Sequence, residues 1–431
     1  MEGTAERYGR SKELLARTSQ FIPLGSQTFS KSHIQFPQQA PHFIVRGKGS
    51  HVWDVDGNEY VDFINGLLPV ILGYCDRDVD QAISEQLRRG VSFSLASPLE
   101  CELAELLTEI IPCAEMVRFG KNGSDATAGA VRVARAYTGR DRIAVCGYHG
   151  WQDWYIGSTA RNRGVPNAVR QLTHPFKYND LTSLGSLFDQ YPGQFAAVIM
   201  EPMNTDDPLP GFLEGVRDLA HRHGAVLIFD EIITGFRYAL GGAQELFEVV
   251  PDLAAFGKSM ANGFPISVVA GKREFMREME DVFFSFTFGG EALSIAASIA
   301  TIKKIREKDV IRRLWETGEK IISRLNEMIV EHHLRGIFEV KGKPPWSLLL
   351  IQDHPPVTLW EIKSLFMQEM LLRGILMSAS HNISFAHSDD DLRRLFEAYG
   401  EVLDIVSRAV QRDSVGEWLH GKPIEPLFKI R

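Results

Sequence analysis

Apolar residues in this chain fall into two patterns, and the patterns alternate through its middle. Five short runs, MVRF (116–119), RIAVCG (142–147), FAAVIM (195–200), AVLIF (225–229) and ISVVAG (266–271), are almost unbroken by polar positions. Runs this short and apolar predict strands buried on both faces of a parallel sheet. Between them, residues 127–139 and 212–224 space their apolar positions as helices do; the first keeps small residues on one face and the second closes on glycine. Strands alternating with helices predict an α/β sheet.

The flanks read differently. Residues 1–20 predict a surface helix with a narrow apolar edge at Leu14 and Leu15, and 21–50 an irregular loop rich in Pro and Gly. HVWDVDGNEYVDFING (51–66) alternates apolar and polar positions about Asp56-Gly57, which predicts a β-hairpin. Helices are expected over 79–87 and 98–112, then over most of 292–333. Two strands around a Pro-rich turn (336–353), a helix (357–374), a strand (375–380) and an amphipathic helix from Ser388 to Val410 complete a smaller α+β domain. The expected division is an N-terminal segment, 1–65, packing with the small domain, a large domain over 66–305 and the small domain over 306–431. No internal repeat or low-complexity segment is visible.

Composition narrows the function. A chain of 431 residues, 44% hydrophobic and 24% charged with a formal net charge of −8, is that of an ordinary globular protein without the basic surface that nucleic acid requires. No apolar run approaches the roughly 18 residues that span a bilayer. The polar start, MEGTAERYGRSKELLART, lacks the apolar centre of a signal peptide. Cys75, Cys101, Cys113 and Cys146 form no metal pattern, so reduced thiols and a cytoplasmic setting are expected, with no metal.

The polar tips of the predicted strands carry the candidate chemistry. AVLIF ends at Asp230 and Glu231, where α/β sheets place ligands; Asp230 alone reads equally as a helix cap or an ion-pair partner. Lys258 stands in FGKSMANGF after an apolar stretch, where lost hydration would make its amine a readier nucleophile. A lone lysine is more often an ordinary surface residue. A nucleotide P-loop is rejected, because the required glycine five positions before Gly257 is Asp252. Asn122-Gly123-Ser124 follows a strand and opens a helix, an anion seat or merely a cap. Tyr148 in Tyr148-His149-Gly150 could stack on a flat ring or sit in the core. Glu201-Pro202 is ambiguous alone, and Thr287 in SFTFGGE could reach a phosphate or lie in a plain turn. Together an anion seat, a stacking ring, an acid and an amine at one sheet end are what pyridoxal 5'-phosphate (PLP) needs: the amine forms a Schiff base and the acid keeps the ring nitrogen protonated.

At this point a family resemblance enters. RGKGSHVWDVDGNEYVDF, NGSDATAGAVRVARAYTGRDRI, YHG, PGFLEGVRDLAHRHGAVLIFDEIITGFR, GGAQELFEVVPDLAAFGKSMANGFPISVVAGKREFM and TFGG resemble the class III aminotransferases, with glutamate-1-semialdehyde 2,1-aminomutase nearest in flavour. The resemblance implies fold type I, with a mainly parallel central sheet in the large domain, and PLP as cofactor. It implies Lys258 as the Schiff-base lysine and Asp230 as partner of the pyridine nitrogen. Ile232 and Tyr148 would cover the two ring faces, and Gly123 and Ser124 would bind the phosphate. Thr287 would reach the phosphate of a neighbouring subunit, making the protein a homodimer.

Several positions depart from the aminomutase pattern. LGSQTFSKSH, holding Thr28 and Lys31, stands where the family has a segment similar to GGVNSPVRAF, with Lys31 in place of its carboxylate-binding arginine. Leu67 and Leu68 replace a Trp-Gly pair, Glu291 replaces Asn, and Ser124-Asp125 replaces Thr-Glu. These changes leave the cofactor set whole and alter the substrate pocket, where Thr28, Lys31 and Glu201 are the candidate contacts. The expected activity is therefore amino transfer from an amino acid or amine to a polar aldehyde or ketone. The alternatives are an aminomutase, or a non-catalytic protein that kept the fold.

Overall fold

The computed structural model describes residues 7–425. The chain opens with a helix, Gly9–Thr18; the first six residues of the expected N-terminal helix lie outside the described residues. Three short 3-10 turns follow. Strand β1 (Ile44–Lys48) then pairs antiparallel with β2 (His51–Asp54), which pairs antiparallel with β3 (Glu59–Asp62). The β2–β3 turn falls at Asp56-Gly57, where Asp54 Oδ1 accepts from the amides of Asp56 (3.0 Å) and Asn58 (2.8 Å) and Gly57 holds φ +91°. Strand β1 lies where an irregular loop was expected, because its exposed residues lack an apolar alternation.

A seven-stranded sheet follows. It is built from β4 (Met116–Gly120), β5 (Arg142–Cys146), β6 (Thr173–Pro175), β7 (Phe195–Met200), β8 (Val226–Asp230), β9 (Leu253–Phe256) and β10 (Ser267–Gly271), in the order β4-β10-β9-β8-β7-β5-β6. Strands β6, β5, β7, β8 and β9 run parallel, and β10 is antiparallel to β9 and β4. The ends of β4, β5, β7, β8 and β9 therefore share one edge of the sheet. Every residue of β7, β8, β9 and β10 is buried, which explains their unbroken apolar sequence. The helix after β4 runs Gly123–Thr138 and ends on Gly139 at φ +65°. It begins at Asn122-Gly123-Ser124, as expected of that motif, four residues before the apolar spacing that starts at 127, with Asn122 and Asp125 forming a capping box. Ala126, Ala130 and Ala134 are fully buried, so the helix lies close on the sheet. Strand β6 and the helix Leu181–Gln190 carry too few apolar positions to announce themselves, and β9, though wholly apolar, is only four residues long.

Helices Ala292–Glu307 and Val310–Glu331 follow, separated at Asp309, whose φ is +50°. Strands β11 (Phe338–Lys343) and β12 (Trp346–Ile351) form the expected hairpin. The expected strand over 375–380 is two strands in two sheets: β13 (Ile375–Leu376) runs parallel to β3, and β14 (Ser380–Asn382) antiparallel to β12. Ala379, at φ +61°, turns the chain between them. Helix Asp389–Gln411 begins at a capping box on Ser388.

The chain divides into two compact units. One holds the chain through Leu67, Leu72–Asp76 and the chain from Arg312; the other holds Leu68–Ile71 and Arg77–Ile311 with the seven-stranded sheet. Two imidazoles are buried in the first unit. His381 lies 2.9 Å from Ser347 Oγ and 2.5 Å from the Tyr399 hydroxyl. His387 Nδ1 accepts from the Ser384 amide at 3.0 Å, its Nε2 donates to the Asp62 carbonyl at 3.2 Å, and Phe63 stacks on it at 4.4 Å.

Candidate active site

A cavity of about 460 Å³ opens at the shared strand ends of the sheet-bearing unit. Gly123, Ser124, Tyr148, Glu201, Asp230, Ile232 and Lys258 all line it. Each follows a different rule of the fold. Asp230 is the last residue of β8, Glu201 follows β7, Tyr148 comes just after β5, and Lys258 comes two residues after β9.

Asp230 is buried and held from two sides. Its Oδ1 accepts from the Ile232 amide at 3.1 Å, and its Oδ2 lies 2.8 Å from His149 Nδ1. An ionised carboxylate only accepts, so the imidazole proton sits on Nδ1. His149 is itself buried, stacked against Trp154 at 6.3 Å and met edge-on by Tyr155 at 5.2 Å. Thr127 Oγ1 donates to its carbonyl at 2.8 Å. Asp230 is thus a hydrogen-bond partner of a buried imidazole and caps no helix, while its carboxylate still faces the cavity.

Lys258 begins a 3-10 turn, Lys258–Ala261, with φ +34°. A non-glycine residue held in this region is strained, and such strain gathers at functional sites. Burial lowers its pKa, while the charges of Asp230 and Glu201 act the other way. The next residue, Ser259, accepts from Arg237 Nη2 at 3.3 Å; the same nitrogen donates to the Leu68 carbonyl at 2.8 Å. Arg237 is fully buried, and the loss of water pulls its pKa down to about 10. It braces the lysine turn from below.

Gly123 and Ser124 are the first two residues of their helix, so their amides have no partner within it. Asn122 is the cap, accepting from the Asp125 amide at 3.2 Å, which leaves Ser124 free of that role. Ser124 Oγ accepts from the Trp151 amide at 3.2 Å. Gly150, at φ +104°, is required here, since a Cβ would overlap the Ser124 side chain. A Cβ on Gly123 would press on Ile232 at 3.2 Å. Tyr148 is 56% exposed, with its ring edge-on to Tyr155 at 5.6 Å. Glu291 caps the helix Ala292–Glu307 and pairs with Lys121 at 3.0 Å.

Three candidates lie outside the lining. Thr287 is in an exposed turn. Thr28 and Lys31 belong to the other unit, where Thr28 Oγ1 accepts from the Lys31 amide at 3.2 Å. Sequence reading also passed over residues that the cavity uses. His149 stands inside the Tyr148-His149-Gly150 motif, but only its tyrosine drew notice. Ile233, Phe264 and Pro265 form an apolar wall that no motif announces.

The donor set fits PLP. Two free helix amides and a serine hydroxyl suit a phosphate, a histidine-held carboxylate suits a ring nitrogen, and a desolvated amine suits an aldehyde.

The class III aminotransferase profile matches residues 35–383. The chain belongs to this family. It is 36% identical, over 93% of its length and 98% of the relative, to a 3-aminobutyryl-CoA aminotransferase of Cloacimonas acidaminovorans. It is 39% identical, over 92% of its length and 98% of the relative, to a glutamate-1-semialdehyde 2,1-aminomutase of Syntrophomonas wolfei. Among solved structures, the PLP internal aldimine form of the FumI protein of Sphingopyxis sp. MTA144 superposes with a TM-score of 0.86 at 29% identity, covering 94% of this chain and 98% of that one. An omega-transaminase of Sphaerobacter thermophilus gives 0.83 at 27%, covering 94% and 100%. This class III aminotransferase is a PLP-dependent enzyme with the fold type I α/β architecture. Among the described residues no helix is long and apolar enough to cross a membrane, and no cluster of ligating side chains would hold a metal.

Proposed function

We propose that this enzyme is a transaminase, moving an amino group from an amino acid or amine to a polar aldehyde or ketone. The observation that carries the reading is one cavity faced by Lys258, Asp230 and the amides of Gly123 and Ser124. Lys258 would hold the PLP aldehyde, Asp230 its ring nitrogen, and Gly123 and Ser124 its phosphate, with Ile232 and Tyr148 on the ring faces. When bound, PLP supplies an electron sink for the pair left when a substrate Cα loses its proton. Lys258 Nζ would be the group that takes that proton as general base and gives it back, as general acid, on the far side of the bridging nitrogen. His149 and the Ile232 amide both meet Asp230, and their hydrogen bonds orient its carboxylate towards the cavity. The wall of Ile233, Phe264 and Pro265 excludes water and seats the hydrocarbon part of the acceptor. Thr28, Lys31 and Glu201 are the substrate contacts in this reading, with Lys31 favouring an anionic group.

The chain further acts as a homodimer in the cytoplasm, with Thr287 serving the partner's site. Exposed large apolar side chains on the sheet-bearing unit support the pairing. Phe283 is 81% exposed, Phe288 57%, Leu95 85% and Trp151 67%. The Ala292 amide donates to the Val91 carbonyl at 2.9 Å, tying the 91–95 stretch to the end of the phenylalanine loop. Apolar patches of this kind mark interfaces.

The test is a donor screen that follows the yellow band of the holoenzyme as an amine converts it, then finds the carbonyl compound that restores it. The relatives include an aminomutase, and turnover of one amino-carbonyl substrate without a second carbonyl compound would select that reading instead.

A further inference from the structure

The register of the large sheet places two carboxylates side by side at the cavity. Met200 of β7 pairs with Phe229 of β8, so the next residues, Glu201 and Asp230, occupy adjacent strand tips. They are not equivalent. Asp230 is held by an imidazole and an amide. Among the described residues Glu201 uses one oxygen only: Oε2 accepts from the Tyr148 amide at 3.1 Å and from Asn204 Nδ2 at 3.4 Å, and Oε1 accepts from none of them. Gly147, at φ +108°, leaves the space the carboxyl occupies, because a Cβ there would collide with it.

We infer that Glu201 is a positioning residue whose carboxyl, on the strand tip beside Asp230, sets the pH interval over which Lys258 keeps its proton. The inference rests on the PLP reading of the cavity. Asp230 already accepts from an amide and meets an imidazole, whereas Glu201 has no such partner for its second oxygen; of a close acidic pair, one member stays protonated to higher pH. Burial, then the Asp230 charge, pushes Glu201 up to about 7, against the opposing pull of His149 and Lys258. The other groups facing it stay neutral there: burial raises Cys146 to about 12, and it raises Tyr155, Tyr178 and Tyr238 as well. When Glu201 ionises, Lys258 gains a second anion and holds its proton more tightly. Above neutrality the site thus resists losing the charge on the lysine nitrogen. The aspartate alone would not give this response.

The test is a pH titration of the visible absorbance band of the holoenzyme, without substrate, in the wild type and in Glu201→Gln. The wild type should titrate over a span wider than one proton allows, with a component near neutral pH. Glu201→Gln should show a single sharper transition, its midpoint about 1 unit lower, the scale on which a neighbouring charge moves a titration. Glu201→Asp should restore the broad profile, and Glu201→Ala, expected to show the same single transition as the glutamine variant, carries the test if that variant does not fold. Superposable profiles for all three proteins would overturn the inference and leave the PLP reading standing. A wild-type protein that takes up PLP with no visible band would overturn both.

Discussion

His149 Nδ1 and Asp230 Oδ2 lie 2.8 Å apart, both buried, at the closed end of the cavity. The imidazole makes a charged carboxylate tolerable where water is absent. Replacing His149 by Leu removes a hydrogen bond to a charged acceptor, so a loss of about 1.5–3 kcal/mol in unfolding free energy is expected. Urea unfolding of the two proteins checks it, and the variant should also bind PLP more weakly.

Asp230→Asn keeps the shape of the side chain and removes its charge. Losing a charge-assisted bond of about 1.5–3 kcal/mol corresponds to a fall of roughly 10–100-fold in the first half-reaction. Stopped-flow absorbance with one amine at saturation measures it, with circular dichroism as the control for folding.

His381 and His387 give the fold an acid limit. Burial pushes them down to about 3 and about 4 from an ordinary 6.5. Their folded values lie below the unfolded one, so their contribution is fully present above about pH 6.5 and is lost as pH falls towards 4 and 3. Each unit of separation is worth about 1.4 kcal/mol, so on the order of several kcal/mol of stability should disappear between pH 6.5 and 4. Unfolding at a series of pH values checks this. A His387→Gln variant, less stable at neutral pH, should lose less on acidification.

The exposed phenylalanines supply a fourth prediction. A charge at the centre of an apolar interface is left unpaired and desolvated. Phe283→Glu should therefore shift the protein from dimer to monomer in light scattering at micromolar concentration, and the wild type should stay dimeric.

Legibility from sequence followed physical cause. The strands β7 and β8 could be read directly, because burial on both faces leaves no polar position in them. Asp230 and Lys258 could be paired because strand tips collect at one end of a parallel sheet. The apolar spacing of the Gly123 helix starts only at 127, and its first turn shows in Asn122-Gly123-Ser124 alone, since the capping residues Asn122 and Asp125 also favour turns. His149 was missed because its partner lies 81 residues away, a distance that local pattern does not report. The split of 375–380 into β13 and β14 was invisible for a related reason. The apolar run Ile375–Met377 reads on into the small residues 378–380 as one strand, and only the positions of β3 and β12 divide them.

The central claim is that Lys258 carries the cofactor. Borohydride reduction of the holoenzyme, followed by proteolysis and mass spectrometry, tests it directly. The pyridoxyl mass should appear on the peptide containing Lys258 and be absent after Lys258→Ala. A label on any other lysine, or no label on a protein that has taken up PLP, would contradict the account.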